Sequence, residues 1–501
     1  MQTAGLWMLL VLGVLVPLTG MPVWALLVGV SSVFALLGLA TGAVDVAVLA
    51  ALPSRLVGLL EHDLLQAMPL YVFVGVLLQR VAVADALFDS LSHLAPPWAR
   101  RGPAADALAG LGVGALLAPM NGSVASSSVL LGRLAGPRLQ ALAAAPATAL
   151  VSVAATIGVV VPPSLVLILL GDAMLRAHTE ASNLPGYTQT GQRIVNTQDI
   201  LHAALPPALL LLVLWLGVAW WQARRAADAA SGHGAGPTPP LPRRKGWLAG
   251  ATVAGIVLLL AGVFSGRLLP VEGAATAGCV LVAGILLTHS LPWPAWNAVL
   301  HDSLALSGAL FALLAGATSF SLVLRLFGTD AWLSQLLLHS ALPAPAVAGL
   351  ALLLVMLCAW VLDAFEMIFV VIPIVAPVLV LRLGDAQQAA VLLLLVLQLS
   401  FLLPPMGYAV LMARAQRHPI PGHLSLLKAL WPYLAAQMLV LLLVFSVPAV
   451  LHLMDGPPSA SDSAPALSAE ELTRQMQDML DRPQDEEPAT SPPAEAESGK
   501  P

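Results

Sequence analysis

The chain has 501 residues, of which 58% are hydrophobic and only 10% are charged, and its formal net charge is −5. A soluble protein of this size would carry roughly 25% charged residues, so the composition excludes an ordinary soluble domain and indicates a polytopic membrane protein. The Leu-rich runs are continuous and do not alternate as the strands of a transmembrane barrel do, so we predict an all-α chain.

The chain begins with an apolar run at 1–20 that has no basic n-region and no clear cleavage site. We therefore predict a retained first helix and not a signal peptide. Other runs approach the roughly 20 residues that a helix needs to cross a bilayer. They lie at 22–39, 142–161, 204–221, 247–265, 344–362 and 430–450.

Two amphipathic segments, 46–62 and 82–95, are predicted to lie at the membrane surface, and a proline interrupts the first of them. In the second segment, Asp85, Asp89 and His93 share one helix face because they are spaced four residues apart. A solvated helix face and a metal or proton site are the two interpretations of these three residues.

The segment from Gln222 to Gly246 carries five basic residues around a Gly/Pro-rich centre, so the positive-inside rule predicts a cytoplasmic linker. This linker separates a first transmembrane repeat, 1–221, from a second, 247–454. The polar loop 177–203 then lies on the opposite side, which is the periplasm in a bacterium. Residues 455–501 hold eleven acidic and three basic residues, leaving a net +3 on the rest, and this tail is predicted to be disordered.

The two repeats share a spaced pattern of polar residues and prolines. Val-Val-Val-Pro-Pro-Ser at 159–164 returns as Phe-Leu-Leu-Pro-Pro-Met at 401–406, an offset of 242 residues, and the same offset relates Asn121 to Asp363. Each polar residue thus lies 41 positions before its Pro-Pro. Matched breaks in two halves of an apolar chain are typical of secondary transporters, whose broken helices meet near the bilayer midplane.

We accordingly predict an inverted repeat in which each half contains one re-entrant hairpin and one broken helix. The predicted segments are a hairpin at 104–135 with its tip at Met120–Ser123, a crossing at 142–176 broken at Pro162-Pro163, a hairpin at 344–381 with its tip near Asp363–Glu366, and a crossing at 387–413 broken at Pro404-Pro405. Gly110, Gly112, Gly114 and Gly122 are expected to let the two arms of the first hairpin pack closely.

The first predicted tip contains Asn121, Gly122, Ser123 and Ser126. Small residues let the backbone approach a bound group, and serine hydroxyls and freed carbonyls can ligate a hard cation such as sodium. For this segment by itself, the alternative is simple small-residue packing with the hydroxyls bonded to the preceding turn.

The second predicted tip places Asp363 and Glu366 deep within an apolar run. Acids inside a membrane are costly and usually functional, so three roles remain open: ligating a cation, carrying a proton, or orienting the hairpin. At each Pro-Pro the missing N–H groups free carbonyls at 158–163 and 400–405, where Thr156 and Ser400 could add hydroxyl ligands. A simple kink would explain one Pro-Pro, but it explains two at matched distances poorly.

No catalytic constellation is present in the chain. It contains no Walker loop, no Gly-x-Ser-x-Gly elbow and no His-Glu-x-x-His motif. We therefore predict that the protein is not an enzyme and does not itself use ATP, and no feature favours nucleic-acid binding. A channel is disfavoured because paired broken hairpins suit alternating access better than a continuous pore.

At these residues the chain resembles the large membrane subunit of tripartite ATP-independent periplasmic (TRAP) transporters, the DctM type. The resemblance spans residues 1–450. It rests on Met-Pro-Leu-Tyr-Val-Phe-Val-Gly at 68–75, Asn-Gly-Ser-Val-Ala-Ser at 121–126, Ile-Gly-Val-Val-Val-Pro-Pro-Ser at 157–164, Leu-Leu-Ala-Gly-Ala-Thr-Ser-Phe-Ser at 313–321, Leu-Asp-Ala-Phe-Glu-Met-Ile at 362–368, Val-Ile-Pro-Ile-Val-Ala-Pro-Val at 371–378, and Ser-Phe-Leu-Leu-Pro-Pro-Met-Gly at 400–407.

The resemblance implies an elevator-type transporter with a rigid scaffold and a mobile core of two hairpins and two broken helices. It implies a multi-pass protein of the bacterial inner membrane, with Na⁺ as the coupling ion and no other cofactor. Its implied partners are a small four-helix membrane subunit and a periplasmic solute-binding protein. Its implied substrates are small organic acids such as 2-oxo acids or dicarboxylates. A stand-alone ion-coupled carboxylate carrier of the same superfamily is the alternative.

In the resembled family, backbone carbonyls near the hairpins and the Pro-Pro breaks hold sodium. The positions here that match the Na⁺ ligands are Ser123, Gly158, Val161, Ala359, Ser400 and Leu403, with Pro162, Pro404 and Met406 beside them. The chain departs from the family pattern at three places. The first tip reads Asn-Gly-Ser instead of Gly-Ser-Ser, Leu403 replaces a threonine, and Ala359 replaces a glycine. Na⁺ and H⁺ therefore both remain open as coupling ions.

Overall fold

The computed structural model describes residues 4–42, 45, 49–61, 63–96, 103–119, 123–162, 164–182, 196–229, 242–329, 332, 335–336, 342–359, 362, 364–403, 407–416 and 420–454. Within this part of the chain every regular element is a helix. The predicted tail, 455–501, lies outside the described residues. The all-helical class predicted from composition is confirmed.

The helices of the first half follow one another with short connections. They are α1 (Ala4–Thr19), α2 (Val23–Ala40), α3 (Leu52–Leu60), α4 (Asp63–Arg80), α5 (Val83–Leu94), α6 (Ala104–Leu117), α7 (Val124–Ala135), α8 (Ala144–Thr156), α9 (Leu165–Ser182) and α10 (Thr197–Ala229), with 3-10 turns at Arg138–Ala141 and Ile157–Val159.

The second half begins with three long helices. Its elements are α11 (Arg243–Phe264), α12 (Pro270–Thr288), α13 (Trp293–Leu326), α14 (Ala344–Cys358), α15 (Ala364–Leu383, π-helical over Met367–Val371), α16 (Ala386–Ser400), α17 (Tyr408–Ala415) and α18 (His423–Ser446), followed by a 3-10 segment at Pro448–Met454.

Seven of the described helices are long and apolar enough to cross a membrane, namely α2, α10, α11, α12, α13, α15 and α18. Helices α4 and α5, bent by 70° at their junction, could together form an eighth span. By contrast, α6, α8, α14 and α16 have only 13 to 15 residues. At about 1.5 Å per residue they fall short of the roughly 30 Å hydrocarbon core. Each of them ends beside one of the predicted polar breaks.

The helices can be described as an outer and an inner group, which pack against each other most extensively where α5 lies along α6. In the outer group, α13 packs against α2 and α4, α12 packs against α4, and α11 packs against α5. In the inner group, α8 and α16 are surrounded by α6, α7, α9, α10, α14, α15, α17 and α18. All fifteen residues of α16 are buried, as expected for a helix that is apolar on every side. The side chain of Asp385 caps this helix by accepting the N–H groups of Gln387 and Gln388 at 2.9 and 3.1 Å.

Several predicted boundaries differ from the structure. Helix α10 continues to Ala229 and α11 begins at Arg243, so both ends of the predicted linker 222–246 are helical. Helix α9 likewise runs to Ser182, inside the predicted loop 177–203. Pro53 lies in the first turn of α3, which begins at Leu52 after a turn at 50–51, so the interruption predicted there coincides with a helix start, where the missing N–H costs nothing.

Of the three glycines of α6, Gly110 faces the other hairpin arm as predicted, because a Cβ there would lie 3.8 Å from the Cβ of Ala135 on α7, whereas Gly112 and Gly114 face other helices. A Cβ at Gly114 would lie 2.5 Å from the carbonyl oxygen of Ala154 on α8. A Cβ at Gly112 would lie 3.2 Å from the side chain of Leu91 on α5. The first hairpin arm is therefore fitted against α8 and α5, and close packing of the two arms is not what these two glycines permit.

The acidic face of α5 forms ion pairs. Arg138 lies 3.2 Å from Asp85 and 2.9 Å from Asp89, and Lys245 lies 2.8 Å from Asp89. The Arg138 guanidinium also stacks over the Phe88 ring at 4.5 Å. Among the described residues, no group of three or more His, Cys, Asp or Glu side chains is arranged to hold a metal ion. The cluster joins α5 to the 3-10 turn before α8 and to the start of α11.

We expect Arg138→Gln to lower the stability of the purified protein by about 1–2 kcal/mol, because it leaves two neighbouring carboxylates without their shared cation. Thermal unfolding in detergent measures this effect. Lys428→Gln, which removes an exposed positive charge on α18, is the control and should leave the unfolding temperature unchanged. Equal unfolding temperatures for the two variants would mean that the cluster contributes nothing.

Candidate functional site

A small, partly open cavity lies where the two halves of the inner group meet. Its walls come from the end of α6, the start of α7, the break between α8 and α9, and the start of α15. The lining residues are Ala118, Pro119, Ser123, Val124, Ser127, Ala155, Gly158, Val159, Ser164, Val166, Ala364 and Phe365. The first Pro-Pro break thus faces the beginning of the second hairpin.

Three helix N-termini line this cavity. Ser123 immediately precedes α7 in an extended conformation (φ −145°, ψ 132°), and its carbonyl accepts the N–H of Ser127 at 3.0 Å. Ser164 immediately precedes α9, and its carbonyl accepts the N–H of Ile168 at 3.0 Å. Ala364 begins α15, which packs along α9. The first N–H groups of a helix have no partner within it and carry the positive end of its dipole, so this wall attracts an anion.

The opposite wall is built from the C-terminal ends of α6 and α8. In a continuous helix, the carbonyls of Gly158 and Val159 would accept the N–H groups of residues 162 and 163, but both of these are prolines. The N–H groups of Val160 and Val161 both go to the carbonyl of Ile157, at 3.2 and 3.1 Å. The freed carbonyls and the negative dipole ends make this wall suitable for a cation.

Gly158 is the position where the end of α6 comes closest to the turn after α8. A Cβ on this residue would lie 2.4 Å from the carbonyl carbon of Ala118, 2.6 Å from its oxygen and 2.6 Å from the nitrogen of Pro119. All three atoms belong to the backbone, so no side chain could move aside. Only glycine therefore lets the end of α6 rest directly on the break after α8.

The two hydroxyls that we expected to add ligands bond to their own helices. Thr156 donates to the carbonyl of Val153 at 2.9 Å, and Ser400 donates to that of Leu397 at 2.7 Å. A hydroxyl that donates its proton keeps lone pairs for a cation. Ser126 lies elsewhere, because its hydroxyl accepts a hydrogen bond from Gln79 of α4. It is therefore a contact between the inner and outer groups and does not line the cavity.

At the second break, the carbonyls near the prolines take part in backbone hydrogen bonds. They accept backbone N–H groups: Leu403 N–H lies 3.4 Å from Ser400 O, Ala409 N–H lies 3.2 Å from Phe401 O, and Gly407 N–H lies 2.8 Å from Leu403 O. Ala359 caps α14 and donates its own N–H to Val355 at 2.8 Å. The predicted second-site residues Ala359, Ser400 and Leu403 do not line the cavity.

Of the remaining predicted residues, three belong to the part of the chain that the structure describes and five do not. Glu366 is buried on α15, directly after the cavity-lining Phe365. Val161 and Pro162 follow the freed carbonyls of the first break and are largely covered. Asn121, Gly122, Asp363, Pro404 and Met406 lie outside the described residues. Of the predicted ligands, the structure brings Ser123 and Gly158 together around one cavity.

Two lining residues, Ser127 and Ser164, were not among the predicted ligands. Ser164 directly follows the first Pro-Pro, where a serine marks the start of a new helix, and this pattern could have identified it. Ser127 lies one turn beyond Ser123 on the same helix face. The sequence prediction rests on the carbonyls that the prolines free and does not include the N–H groups at the starts of the following helices.

This arrangement of two packed groups, paired helices and broken helices with opposed dipole ends defines a polytopic membrane transporter of the secondary type. The sequence matches the family described as "Tripartite ATP-independent periplasmic transporter, DctM component" over residues 8–450. The chain belongs to this family, as the resemblance indicated.

Two curated relatives agree with this assignment. The chain is 22% identical over 399 residues to the C4-dicarboxylate TRAP transporter large permease protein DctM of Rhodobacter capsulatus, covering 78% of this chain and 86% of that protein. It is 22% identical over 390 residues to the isethionate TRAP transporter permease protein DctMQ of Oleidesulfovibrio alaskensis, covering 77% of this chain and 57% of that longer protein.

The fold is also similar to that of a solved transporter. The crystal structure of the Alcanivorax borkumensis YdaH transporter, described as having an unusual topology, superposes with a TM-score of 0.58 at 16% sequence identity. The match covers 91% of this chain and 99% of that one. At this identity the likeness concerns the fold alone.

Proposed function

We propose that this protein is the large membrane subunit of a TRAP transporter that takes up small organic acids, such as 2-oxo acids or dicarboxylates, together with Na⁺. It acts in the bacterial inner membrane with a small four-helix membrane subunit. A periplasmic binding protein delivers the substrate. The observation that carries the proposal is the cavity at the first break, which joins three helix N-termini to freed carbonyls.

The two walls of the cavity suit two opposite charges. A substrate carboxylate sits at the N-termini of α7, α9 and α15, where backbone N–H groups receive it without any arginine or lysine. Na⁺ sits against the freed carbonyls of Gly158 and Val159, across the cavity from the helix N-termini, where oxygen ligands replace its hydration shell. Each ion lowers the cost of burying the other, so the two enter together. The names of the curated relatives, C4-dicarboxylate and isethionate, support a small organic anion as substrate.

The proposed movement takes place between the inner and the outer group. The inner group carries the cavity, and the outer group presents the lipid-facing surfaces of α11 and α12, about half of whose residues are exposed. We propose that α6–α10 and α14–α18 move as an elevator past α4 and α13, with 104–135 and 344–383 as the re-entrant hairpins. Helices α8 and α16 are buried almost completely at the centre of the inner group, so we expect this group to move as one rigid body.

Uptake into proteoliposomes tests this function. The chain is reconstituted with the small membrane subunit, and the binding protein is added outside with labelled 2-oxo acid or dicarboxylate under an inward Na⁺ gradient, an inward H⁺ gradient, or neither. We expect accumulation only with Na⁺ and only with the binding protein. Uptake driven by an H⁺ gradient would mean that H⁺ is the coupling ion, with Asp363 and Glu366 as the groups that carry it. Uptake that ignores the binding protein would make this chain a stand-alone carrier.

A further inference from the structure

A buried hydrogen bond connects the two broken helices at equivalent positions. The side-chain nitrogen Nε2 of Gln398 on α16 donates to the carbonyl oxygen of Thr156 on α8 at 3.3 Å. The two residues are 242 positions apart, which is also the offset between the two Pro-Pro breaks. When equivalent positions of two repeats touch each other, the pseudo-symmetry axis that relates the repeats passes between them.

This bond lies next to both breaks. Thr156 precedes Gly158 by two residues, and Gln398 precedes Ser400 by two residues. In a continuous helix, the N–H of Val160 would donate to the Thr156 carbonyl, but it donates to Ile157 at 3.2 Å. The Gln398 amide therefore takes up bonding capacity that the break has released. The Gln398 side chain and Thr156 are both completely buried, so water does not compete for this bond.

A second glutamine fixes the orientation of the first. Nε2 of Gln437 on α18 donates to the side-chain oxygen Oε1 of Gln398 at 3.0 Å and to the carbonyl of Leu395 at 3.1 Å. Gln437 is also completely buried. With its oxygen held by Gln437, the amide of Gln398 can present only its nitrogen to Thr156. We call the two hydrogen bonds from Gln437 to Gln398 and from Gln398 to Thr156 the relay. Burying two amides in an apolar core is costly unless they are bonded, and this cost indicates that the relay has a functional role.

We propose that Gln398, oriented by Gln437, is a positioning residue that couples the two breaks, so that a cation held at one changes the affinity of the other. The inference rests on the proposed cation-coupled function and adds a second cation at the second break. There the carbonyls of Ser400 and Phe401 each accept one N–H group and keep a second lone pair for an ion.

A cation that draws the Gly158 carbonyl towards itself shifts the Thr156 carbonyl in the same turn. The hydrogen bond carries that shift to α16 just before Ser400. Coupling of this kind is reciprocal, so it makes cation binding cooperative.

The test compares three identical substitutions of buried glutamines by methionine, which keeps the volume and removes the amide. Gln398→Met and Gln437→Met break the relay. Gln388→Met is the matched control, because Gln388 lies on the same helix and bonds to the carbonyls of Val444 and Phe445 on α18 at 2.9 and 3.1 Å, away from the breaks. The readouts are Na⁺ titrations of thermal stabilisation of purified protein and of uptake in proteoliposomes.

For the native protein we expect a Hill coefficient above one for Na⁺. Gln398→Met should reduce it to one and raise the half-saturating Na⁺ concentration about threefold to tenfold, which corresponds to a coupling in the usual range for linked sites. Gln437→Met should act in the same direction even if Gln398→Met fails to fold. Gln388→Met should lower the unfolding temperature and leave the Na⁺ curve unchanged.

Two results would overturn the coupling alone: a native Hill coefficient of one, or Na⁺ curves for Gln398→Met and Gln437→Met that match that of Gln388→Met. A native protein that neither binds Na⁺ nor requires it for uptake would overturn the proposed function and the coupling together. A steep native curve that the relay variants leave unchanged would keep the proposed function and remove only the role of Gln398.

Discussion

Gly158→Ala is expected to reduce Na⁺-driven uptake by about two orders of magnitude, because shifting a binding geometry by about 1 Å has effects of that size. The added methyl group would meet the carbonyl carbon of Ala118 at 2.4 Å, its oxygen at 2.6 Å and the nitrogen of Pro119 at 2.6 Å. Since these are backbone atoms, either the end of α6 or the turn after α8 must move. Both form the carbonyl-lined wall of the cavity.

The matched control is Gly217→Ala on α10, where an added Cβ would have nothing within 4 Å. Alanine in an open helical position is favoured over glycine by about 0.5–1 kcal/mol, so this variant should be as active and at least as stable as the native protein. Uptake by initial rates under saturating substrate distinguishes the two variants. Equal rates for Gly158→Ala and Gly217→Ala would mean that the contact at the first break has no part in transport.

Ser164→Asp is expected to abolish uptake without unfolding the protein. The new carboxylate would lie before α9 at a buried position, where the N–H groups of the helix offset the cost of burying its charge. The same position lines the cavity that we assign to the substrate carboxylate. A fixed negative charge would occupy the N–H groups of α9 and repel the incoming anion, so uptake should be lost while the unfolding temperature stays close to that of the native protein.

Ser164→Asn is the control for this substitution, because asparagine has nearly the shape of aspartate, caps helices as well, and carries no charge. We expect it to keep a substantial fraction of native uptake. The measurements are initial uptake rates and thermal unfolding of the same preparations. If both variants transport equally well, the substrate anion does not bind at these helix N-termini. If Ser164→Asp unfolds, the side chain at position 164 does not reach the first N–H groups of α9.

Much of the fold could be predicted from sequence because bilayer physics leaves few choices. Long apolar runs predict helices, and the prolines at 162, 163, 404 and 405 lie where α8 and α16 have ended. Helix ends were less predictable. Helix α10 passes through Pro206 and Pro207 and continues through charged residues to Ala229, since nothing local stops a helix that leaves the apolar region.

The site could be predicted only in part. Missing N–H groups and small residues are visible in sequence, so the pattern indicated the first tip and the carbonyls at 158–163, and the resemblance to the TRAP family assigned Ser123 and Gly158 among them. The pattern did not reveal the hydrogen bond from Ala409 N–H to Phe401 O, because this bond joins residues on either side of the second pair of prolines. Nor could it reveal Gln398, whose meaning depends on a partner 242 residues away.

Na⁺-dependent protection of a single cysteine at Ser123→Cys tests the central claim, that cation and substrate meet in the cavity at the first break. The native thiols are first removed by Cys279→Ala and Cys358→Ala. Ser425→Cys, at an exposed serine near the start of α18, is the control. We predict that Na⁺, but not K⁺ or choline, slows thiol modification at position 123 about tenfold, that substrate slows it further, and that position 425 is unaffected. Equal modification rates at position 123 in Na⁺ and choline, with and without substrate, would contradict the account.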